Sequence, residues 1–474
     1  MARATVPGRV VGAGVALGIA AAAGTGLLRR SGRDRSGHVS EREGDYAAAA
    51  HRVLVLGAGF GGLAVALELD RRLGEHDDTS VLVVDRDNAL LFTPLLWTVA
   101  DGRAGPGDVV VPVRDFQKGR RFHLLHARVE AIDLGRREVI TSAGPRGYDT
   151  LVVALGSTTA VPDLPGLREH ARVFHTAADA VGLRNALIDA VEAAHRTDDP
   201  AERRAWLTFV VGGGGDTGVE LAATIREYLA AGLLAEYPWL AEEPPRVVVV
   251  GRASRLLPMA DPATSDRVRR ALEEGEIEVL TGAAVESVDE RTVRTSKGEI
   301  PARTLFWAAG ITAPPVVRAL PVGHAPNGAL LVDDHLRLPA HPEVYAIGDA
   351  AWAYDSATGN PVPPTAQAAT HQGTYVAATI AAGLDHREAS AFRFAPKGHL
   401  ALLGHRTGVA RVGRWAFGGL PAWLLWHGYY LTRIPSWRNR LRLATGWALS
   451  GIVGRDTGQL DLGTGGKATR EAAS

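Results

Sequence analysis

The chain alternates short apolar runs with glycine turns and stretches of helical character. The clearest unit runs from Arg52 to Asp85. Val53-Leu54-Val55-Leu56 is an apolar run of strand length. Gly57-Ala58-Gly59-Phe60-Gly61-Gly62 follows, Leu63-Ala64-Val65-Ala66-Leu67-Glu68-Leu69 continues it, and a second run, Val81-Leu82-Val83-Val84, stops at Asp85. The pattern predicts strand, glycine turn, helix, strand and acid. Gly57 permits the tight turn, Gly59 lets a pyrophosphate approach the backbone, and Gly62 lets the helix pack close to the sheet. The helix N-terminus offers unpaired N–H groups and partial positive charge to phosphates. Asp85 lies 28 positions after Gly57, beyond the usual ~20. The polar segment Arg71 to Thr79 accounts for the excess, and Asp85 is placed to meet a ribose hydroxyl.

A second unit of the same kind starts at Leu207-Thr208-Phe209-Val210-Val211. It turns at Gly213-Gly214-Gly215-Asp216-Thr217-Gly218 and ends with Val247 to Val250, then Gly251-Arg252. Two such units imply two dinucleotides held face to face, as hydride transfer requires. Three more apolar runs end in small residues: Leu151 to Gly156, Thr304 to Gly310, and Val344 to Ala350 with its Gly348-Asp349 turn. Such strand ends suit a backbone passing close to a cofactor. Leu90 to Trp97, interrupted by Pro94, reads in isolation as buried loop packing.

The ends of the chain differ from its middle. Val10 to Leu28 is an uncharged run of 19 residues, rich in Ala and Gly and flanked by arginines. A signal-anchor helix, a cleaved signal peptide and a disordered extension compete for it, and the cleaved export signal poorly suits an enzyme that uses an intracellular reduced cofactor. Arginines after the run outnumber those before it, which would leave the rest of the chain cytoplasmic. Ser31 to Tyr46 reads as a linker. Five of the ten tryptophans fall between Trp415 and Trp447. Trp415 to Leu431 is apolar but contains Pro421 and is short for a spanning helix of ~20 residues. Arg433, Arg438, Arg440 and Arg442 follow. Interfacial aromatics and snorkelling arginines predict two amphipathic helices lying on a membrane over 415–447. A homodimer interface is the competing use of the same aromatics.

With 474 residues and 46% hydrophobic content, the chain has room for two or three cored domains. Zero formal net charge gives no bulk attraction to nucleic acid. The absence of cysteine excludes thiol, disulfide and cysteine–metal chemistry. The 16 histidines show no metal-ligand spacing, so no metal site is expected.

These motifs together resemble the two-dinucleotide flavoprotein oxidoreductases and, within them, the type II NADH:quinone oxidoreductases, over about residues 52–456. The resemblance implies an α/β fold with two Rossmann-like dinucleotide-binding domains, the FAD domain interrupted by the NAD(P)H domain, plus a C-terminal membrane-associating helical segment. The implied boundaries are an N-terminal extension (1–50), the N-terminal half of the FAD domain (51–165), the NAD(P)H domain (166–325), the C-terminal half of the FAD domain (326–392) and the C-terminal region (393–474). Gly57, Gly59, Phe60, Gly61, Gly62, Asp85, Arg86, Pro94, Leu95, Ala154, Gly156, Gly348, Asp349, Ala366 and Gln367 would hold FAD. Gly213, Gly215, Gly218, Glu220, Arg252, Ala309 and Gly310 would hold NADH or NADPH. Ala366-Gln367-Ala368-Ala369-Thr370-His371-Gln372-Gly373 is similar to the family's quinone-site motif, and Lys397 matches a family lysine. Glu220, Gln367, His371 and Lys397 are the candidates for tuning and proton delivery. The implied activity is a respiratory, non-pumping transfer of hydride from NAD(P)H to FAD, then of two electrons to a lipid-dissolved quinone, at the cytoplasmic membrane face.

The chain departs from the family in three places. Asp216 replaces a proline, where it either caps the helix or repels a pyrophosphate. Gly251-Arg252 stands where the family keeps an acid for the adenosine ribose. An arginine there suits a 2′-phosphate or simply faces solvent. His371 replaces a glutamine, either as a proton donor with a near-neutral pKa or as a packed helix residue. Asp216 and the missing acid leave a second reading open, a catalytically weak redox-sensing flavoprotein. Sulfide:quinone and disulfide reductases of this fold need cysteines that the chain lacks.

Overall fold

The computed structural model describes residues 39–460, apart from 75, 77, 397, 405–406 and 413–414. The run at 10–28, the start of the expected linker, and Lys397 therefore lie outside the described residues. The end of that linker is a helix, Val39–Ala48, not an extended tether. Tyr46 is buried, and its hydroxyl donates to Gly147 O at 2.8 Å, which ties the helix to the body.

The same chain path is built twice. In the first pass, β1 (His51–Leu56) leads through α1 (Phe60–Arg72) to β2 (Thr79–Asp85) and later β3 (His123–His126). A three-stranded meander, Val129–Asp133, Glu138–Thr141 and Gly144–Gly147, then returns the chain to β4 (Thr150–Val153). Between β2 and β3, the expected loop at Leu90–Trp97 is a strand (Ala89–Leu91), a 3-10 turn (Thr93–Leu95) and α2 (Leu96–Ala100). Its apolar residues bury under the C-terminal helices, so it folds as core. The second pass follows β5 (Ala171–Val173) and α3 (Ala177–Arg196). It runs β6 (Thr208–Gly212), α4 (Asp216–Tyr228), β7 (Arg246–Gly251), β8 (Ile277–Thr281), a second meander and β9 (Thr304–Trp307). β10 (His341–Ala346) and α5 (Ala366–Leu384) then rejoin the first sheet.

The strand orders are β10-β4-β1-β2-β3 and β5-β9-β6-β7-β8, with every pair parallel. A short antiparallel strand, Arg337–Leu338, edges the first sheet. In each sheet the strand that precedes the glycine turn, β1 or β6, lies centrally beside the strand that follows the meander, the doubly wound order. Val53 to Leu56 and Phe209 to Val211 are wholly buried, as strands covered on both faces must be. Burial of each such Val, Leu or Phe side chain contributes about 1.5–3 kcal/mol.

The C-terminal region carries a three-stranded antiparallel sheet, His399–Leu402, Gly408–Val412 and Trp415–Gly418, then α6 (Gly419–Arg433) and α7 (Trp437–Val453). Residues 415–418 are thus strand, where helix was expected. Gly418 and the left-handed Gly419 turn the edge strand into α6. No described helix is long and apolar enough to cross a membrane.

Candidate functional site

Both glycine turns present backbone, not side chain, to a cleft. Gly57 N donates to Val84 O at 2.8 Å, with φ at +99°. A Cβ on Gly57 would stand 2.3 Å from Ala154 O, and one on Gly62 would stand 1.9 Å from Gly57 O. Only glycines fit there. Gly59, the N-cap of α1, has open space where its Cβ would be, which leaves the helix N–H groups reachable by an anion. The second turn repeats this geometry: a Cβ on Gly213 would lie 2.5 Å from Ala308 O, and one on Gly218 would lie 2.0 Å from Gly213 O. Gly215 caps α4 and is open in front. Asp216 is therefore the first residue of the helix and not its cap. An acid in a first turn complements the helix dipole.

Asp85 does more than end β2. Its Oδ2 accepts from Ala58 N at 2.5 Å and its Oδ1 from Asp87 N at 2.8 Å, so it braces the first turn. Burial raises its carboxyl pKa, and these hydrogen bonds oppose the rise. Arg86 beside it is exposed. Across the cleft, Gly156 has φ at +67°, and Ser157 Oγ donates to Asp349 Oδ2 at 2.7 Å. Burial pushes the Asp349 carboxyl up, while Ser157 and His175 act against it. The His175 imidazole is held below its usual pKa, chiefly by desolvation.

The 366–373 motif forms the first two turns of α5. Thr365 is the cap, and its side chain accepts from Ala368 N at 3.2 Å. Ala366 and Gln367 are half-buried behind it. Gln372 is the residue that reaches the flanking turn: its Oε1 accepts from Gly348 N at 2.6 Å. His371 instead faces outward, with its ring 5.7 Å from Phe392 and 5.9 Å from Phe394. Leu95 is fully buried in its 3-10 turn after Pro94. Ala309 and Gly310 follow β9, where Ala160 N donates to Gly310 O at 3.0 Å and Trp307 Nε1 donates to Ala160 O at 2.7 Å. Arg252 projects from the end of β7, exposed.

α6 joins the two units. Tyr430 lies 6.4 Å from Phe92, which lies 5.4 Å from Phe60 of the first turn. Burial raises the Tyr430 phenol pKa, helped by the charges of Glu220 and Asp216 from the second unit's helix. Glu220 Oε1 in turn accepts from Leu402 N at 3.4 Å. Ser157, His175, Gln372 and Tyr430 were not singled out by sequence reasoning. Gln372 alone had a local signal, one residue past His371 in a motif already marked.

Behind α6 lies a buried ionic cluster. Arg103 contacts Asp101 at 2.5 Å and Glu227 at 3.5 Å, and Arg455 contacts Asp101 at 3.7 Å and pairs with Glu227. The Asp456 carboxylate pairs with buried Arg184 at 3.2 Å, and its backbone carbonyl accepts from Tyr228 Oη at 3.1 Å. Burial raises the Asp101 pKa against the pull of both arginines. On the opposite side of the C-terminal helices, Leu420, Leu424, Leu425, Trp437, Leu441, Leu449, Ile452 and Val453 are exposed, beside exposed Arg433, Arg438 and Arg442.

Comparison with known proteins fits this geometry. Residues 51–373 match the pyridine nucleotide-disulphide oxidoreductase family, and residues 397–456 match the NDH2 C-terminal domain. The chain is 31% identical to type II NADH:quinone oxidoreductase NdhA of Mycobacterium tuberculosis, over 87% of this chain and 89% of that protein. It is 29% identical to demethylphylloquinone reductase NdbB of Synechocystis, over 84% of this chain and 95% of that one. The solved structure of NDH2 from Plasmodium falciparum in complex with NADH superposes with a TM-score of 0.76 at 20% identity, covering 85% of this chain and 99% of that one.

Proposed function

This chain belongs to the pyridine nucleotide-disulphide oxidoreductases and, within them, to the type II NADH:quinone oxidoreductases; from that premise we propose that it holds FAD in the first unit, binds the reduced nicotinamide dinucleotide in the second, and meets its quinone at a membrane surface. It is a flavin-dependent oxidoreductase that passes electrons from a reduced nicotinamide to a quinone. The redox-sensor alternative is not favoured.

The residues fit FAD. The open space before Gly59 admits a pyrophosphate, Asp85 has lone pairs left for a ribose hydroxyl, and Asp349 faces the same cleft. When bound, FAD supplies hydride acceptance and two-electron release. The protein's role is to orient and to move protons. Gln372 and Ser157 fix the Gly348-Asp349 turn. Tyr430 closes the space between the units and, with Glu220, forms the polar end of the quinone approach. Gln367 and Lys397 complete the set of polar groups that the family resemblance implies, and His371 is set against Phe392 and Phe394.

The observation that carries this reading is the position of Tyr430, between Phe92 of the first unit and Glu220 and Asp216 of the second. The exposed apolar face of α6 and α7, rimmed by Arg433, Arg438 and Arg442, supports docking on an anionic membrane. The test is turnover of the flavin-loaded protein in detergent with a short-chain quinone. Glu220→Gln is expected to lower kcat by on the order of 10²-fold. Negligible quinone reduction by the parent protein refutes the reading. Flotation with anionic liposomes tests docking; a soluble dimer that does not float assigns the apolar face to a second copy instead.

A further inference from the structure

The end of β7 is where a doubly wound unit reads the adenosine ribose of its dinucleotide. A carboxylate at that point accepts hydrogen bonds from the 2′- and 3′-hydroxyls of NADH; a cation there suits the 2′-phosphate of NADPH. Three chain segments meet at this rim. Gly251 pairs in register with Thr281, Ala283 N donates to Gly251 O at 3.0 Å, and Gly282 N donates to Ala253 O at 2.7 Å. Ser296 N donates to Ala284 O at 2.9 Å, which brings the hairpin turn of the second meander to the same edge. Residues 251–255, 280–284 and 295–298 read Gly-Arg-Ala-Ser-Arg, Leu-Thr-Gly-Ala-Ala and Thr-Ser-Lys-Gly, without one acid.

The cations are placed in different ways. Lys297 Nζ is fixed on the rim, donating to Thr281 O at 2.7 Å. Arg255 is turned away, with its guanidinium spent on Pro258 O and Ala260 O at 2.9 and 3.1 Å. Arg252 is exposed and makes no hydrogen bond or ion pair among the described residues. It is the guanidinium left to take an anion, and a fork of N–H donors matches a phosphate bidentately.

We propose that Arg252 and Lys297 form a 2′-phosphate seat, with the Ser254 hydroxyl as a further donor, so that this chain is an NADPH-preferring member of its family. The proposal rests on the nicotinamide-dependent reading above. The 2′-phosphate carries up to two negative charges at neutral pH, and nothing acidic on these segments repels it. NADH would find no carboxylate on them for its ribose diol.

Two measurements on the full-length, flavin-loaded protein test it. The first compares kcat/KM for NADPH and NADH with a short-chain quinone, in the parent protein, in Arg252→Ala, in Lys297→Ala and in Gly251→Glu. The parent is expected to favour NADPH by about 10-fold or more, and Arg252→Ala to cut the NADPH/NADH ratio by roughly 10- to 100-fold. Lys297→Ala should cut it less. Gly251→Glu should reverse the preference: a Cβ at Gly251 meets only Gly214 backbone, with Cα at 3.5 Å, an ordinary van der Waals contact. The second titrates the protein with adenosine 2′,5′-bisphosphate and with 5′-AMP by calorimetry. The bisphosphate should bind about 10-fold tighter in the parent and lose that advantage in Arg252→Ala. Equal binding of the two nucleotides, or an NADH preference insensitive to Arg252, overturns the proposal. Because the calorimetry needs no turnover, failure of quinone reduction and failure of the phosphate seat remain distinguishable.

Discussion

The buried ionic cluster makes a sharp prediction about what fixes the C-terminal helices to the nucleotide-binding units. Asp101 is fully buried, and it touches both Arg103 and Arg455. Glu227 completes the square, contacting the same two arginines. Asp101→Asn keeps the shape and removes one charge, which leaves two buried guanidiniums sharing a single carboxylate. Breaking a buried pair in this way costs about 3–5 kcal/mol, because the stranded charge has no water. At roughly 2 °C per kcal/mol for a large domain, the melting midpoint should fall by about 6–10 °C. The double variant Asp101→Leu/Arg103→Met removes opposite charges together. It leaves the Glu227–Arg455 pair intact and keeps an apolar stem over the Trp97 ring, where Arg103 now lies 4.8 Å from the centroid. It should therefore lose less than Asp101→Asn alone, as expected when two opposite buried charges are removed together. Tryptophan fluorescence is a suitable probe, since Trp97 and Trp426 pack 5.0 Å apart beside the cluster. A drop below about 2 °C for Asp101→Asn, or a double variant worse than the single, refutes the reasoning.

Three further outcomes follow from the site. Gln372→Leu strands Gly348 N without its acceptor, at about 1–3 kcal/mol; gel filtration should show increased flavin loss, and retention equal to the parent would mean the turn holds itself. His427 is buried and stays neutral in the fold, with desolvation lowering its pKa to about 4, so the unfolded chain binds the extra proton. Its contribution is complete above about 6.5 and is lost as pH falls toward 4, at up to about 1.4 kcal/mol per pH unit; His427→Gln should flatten that stretch of the melting-temperature profile, and an unchanged slope counts against it. Gly373→Ala places a methyl 2.3 Å from Gly61 O, so α5 must move off α1; a melting midpoint and flavin affinity matching the parent would contradict that contact.

What the sequence made legible was local. Each glycine turn lies within a dozen residues of its strand and helix, so Gly57, Gly62, Gly213 and Gly218 declare themselves by spacing alone. Asp85 and Asp349 could be read because one directly ends an apolar run at Val84 and the other directly follows the Gly348 turn. The partners of those acids could not. Ser157 meets Asp349 across 192 positions of chain, and no periodicity links them. The substitution of histidine drew attention to position 371 and not to its neighbour at 372. One step along α5 turns a side chain by about a hundred degrees, and only the register of α5 on α1 decides that Gln372 faces the Gly348 turn while His371 faces Phe392 and Phe394.

The tryptophans show the same limit most clearly, and resolving it changes what the C-terminal region is. Composition reads an aromatic, arginine-bordered segment as one surface. The structure divides it. Trp426 is buried against Trp97 and Tyr430, and His427 is packed among Trp423, Trp426 and Trp447. Trp415 and Trp437 are exposed, as are Leu441, Leu449 and Ile452. One face of α6 is thus core, packed against α2, while another is exposed. A helix pair that only floated on a membrane would have no need of buried ion pairs to the nucleotide-binding units. A pair that only filled a core would not expose this much leucine and isoleucine beside three arginines. Both features occur together, so the exposed leucines and the buried side of Tyr430 belong to the same pair of helices.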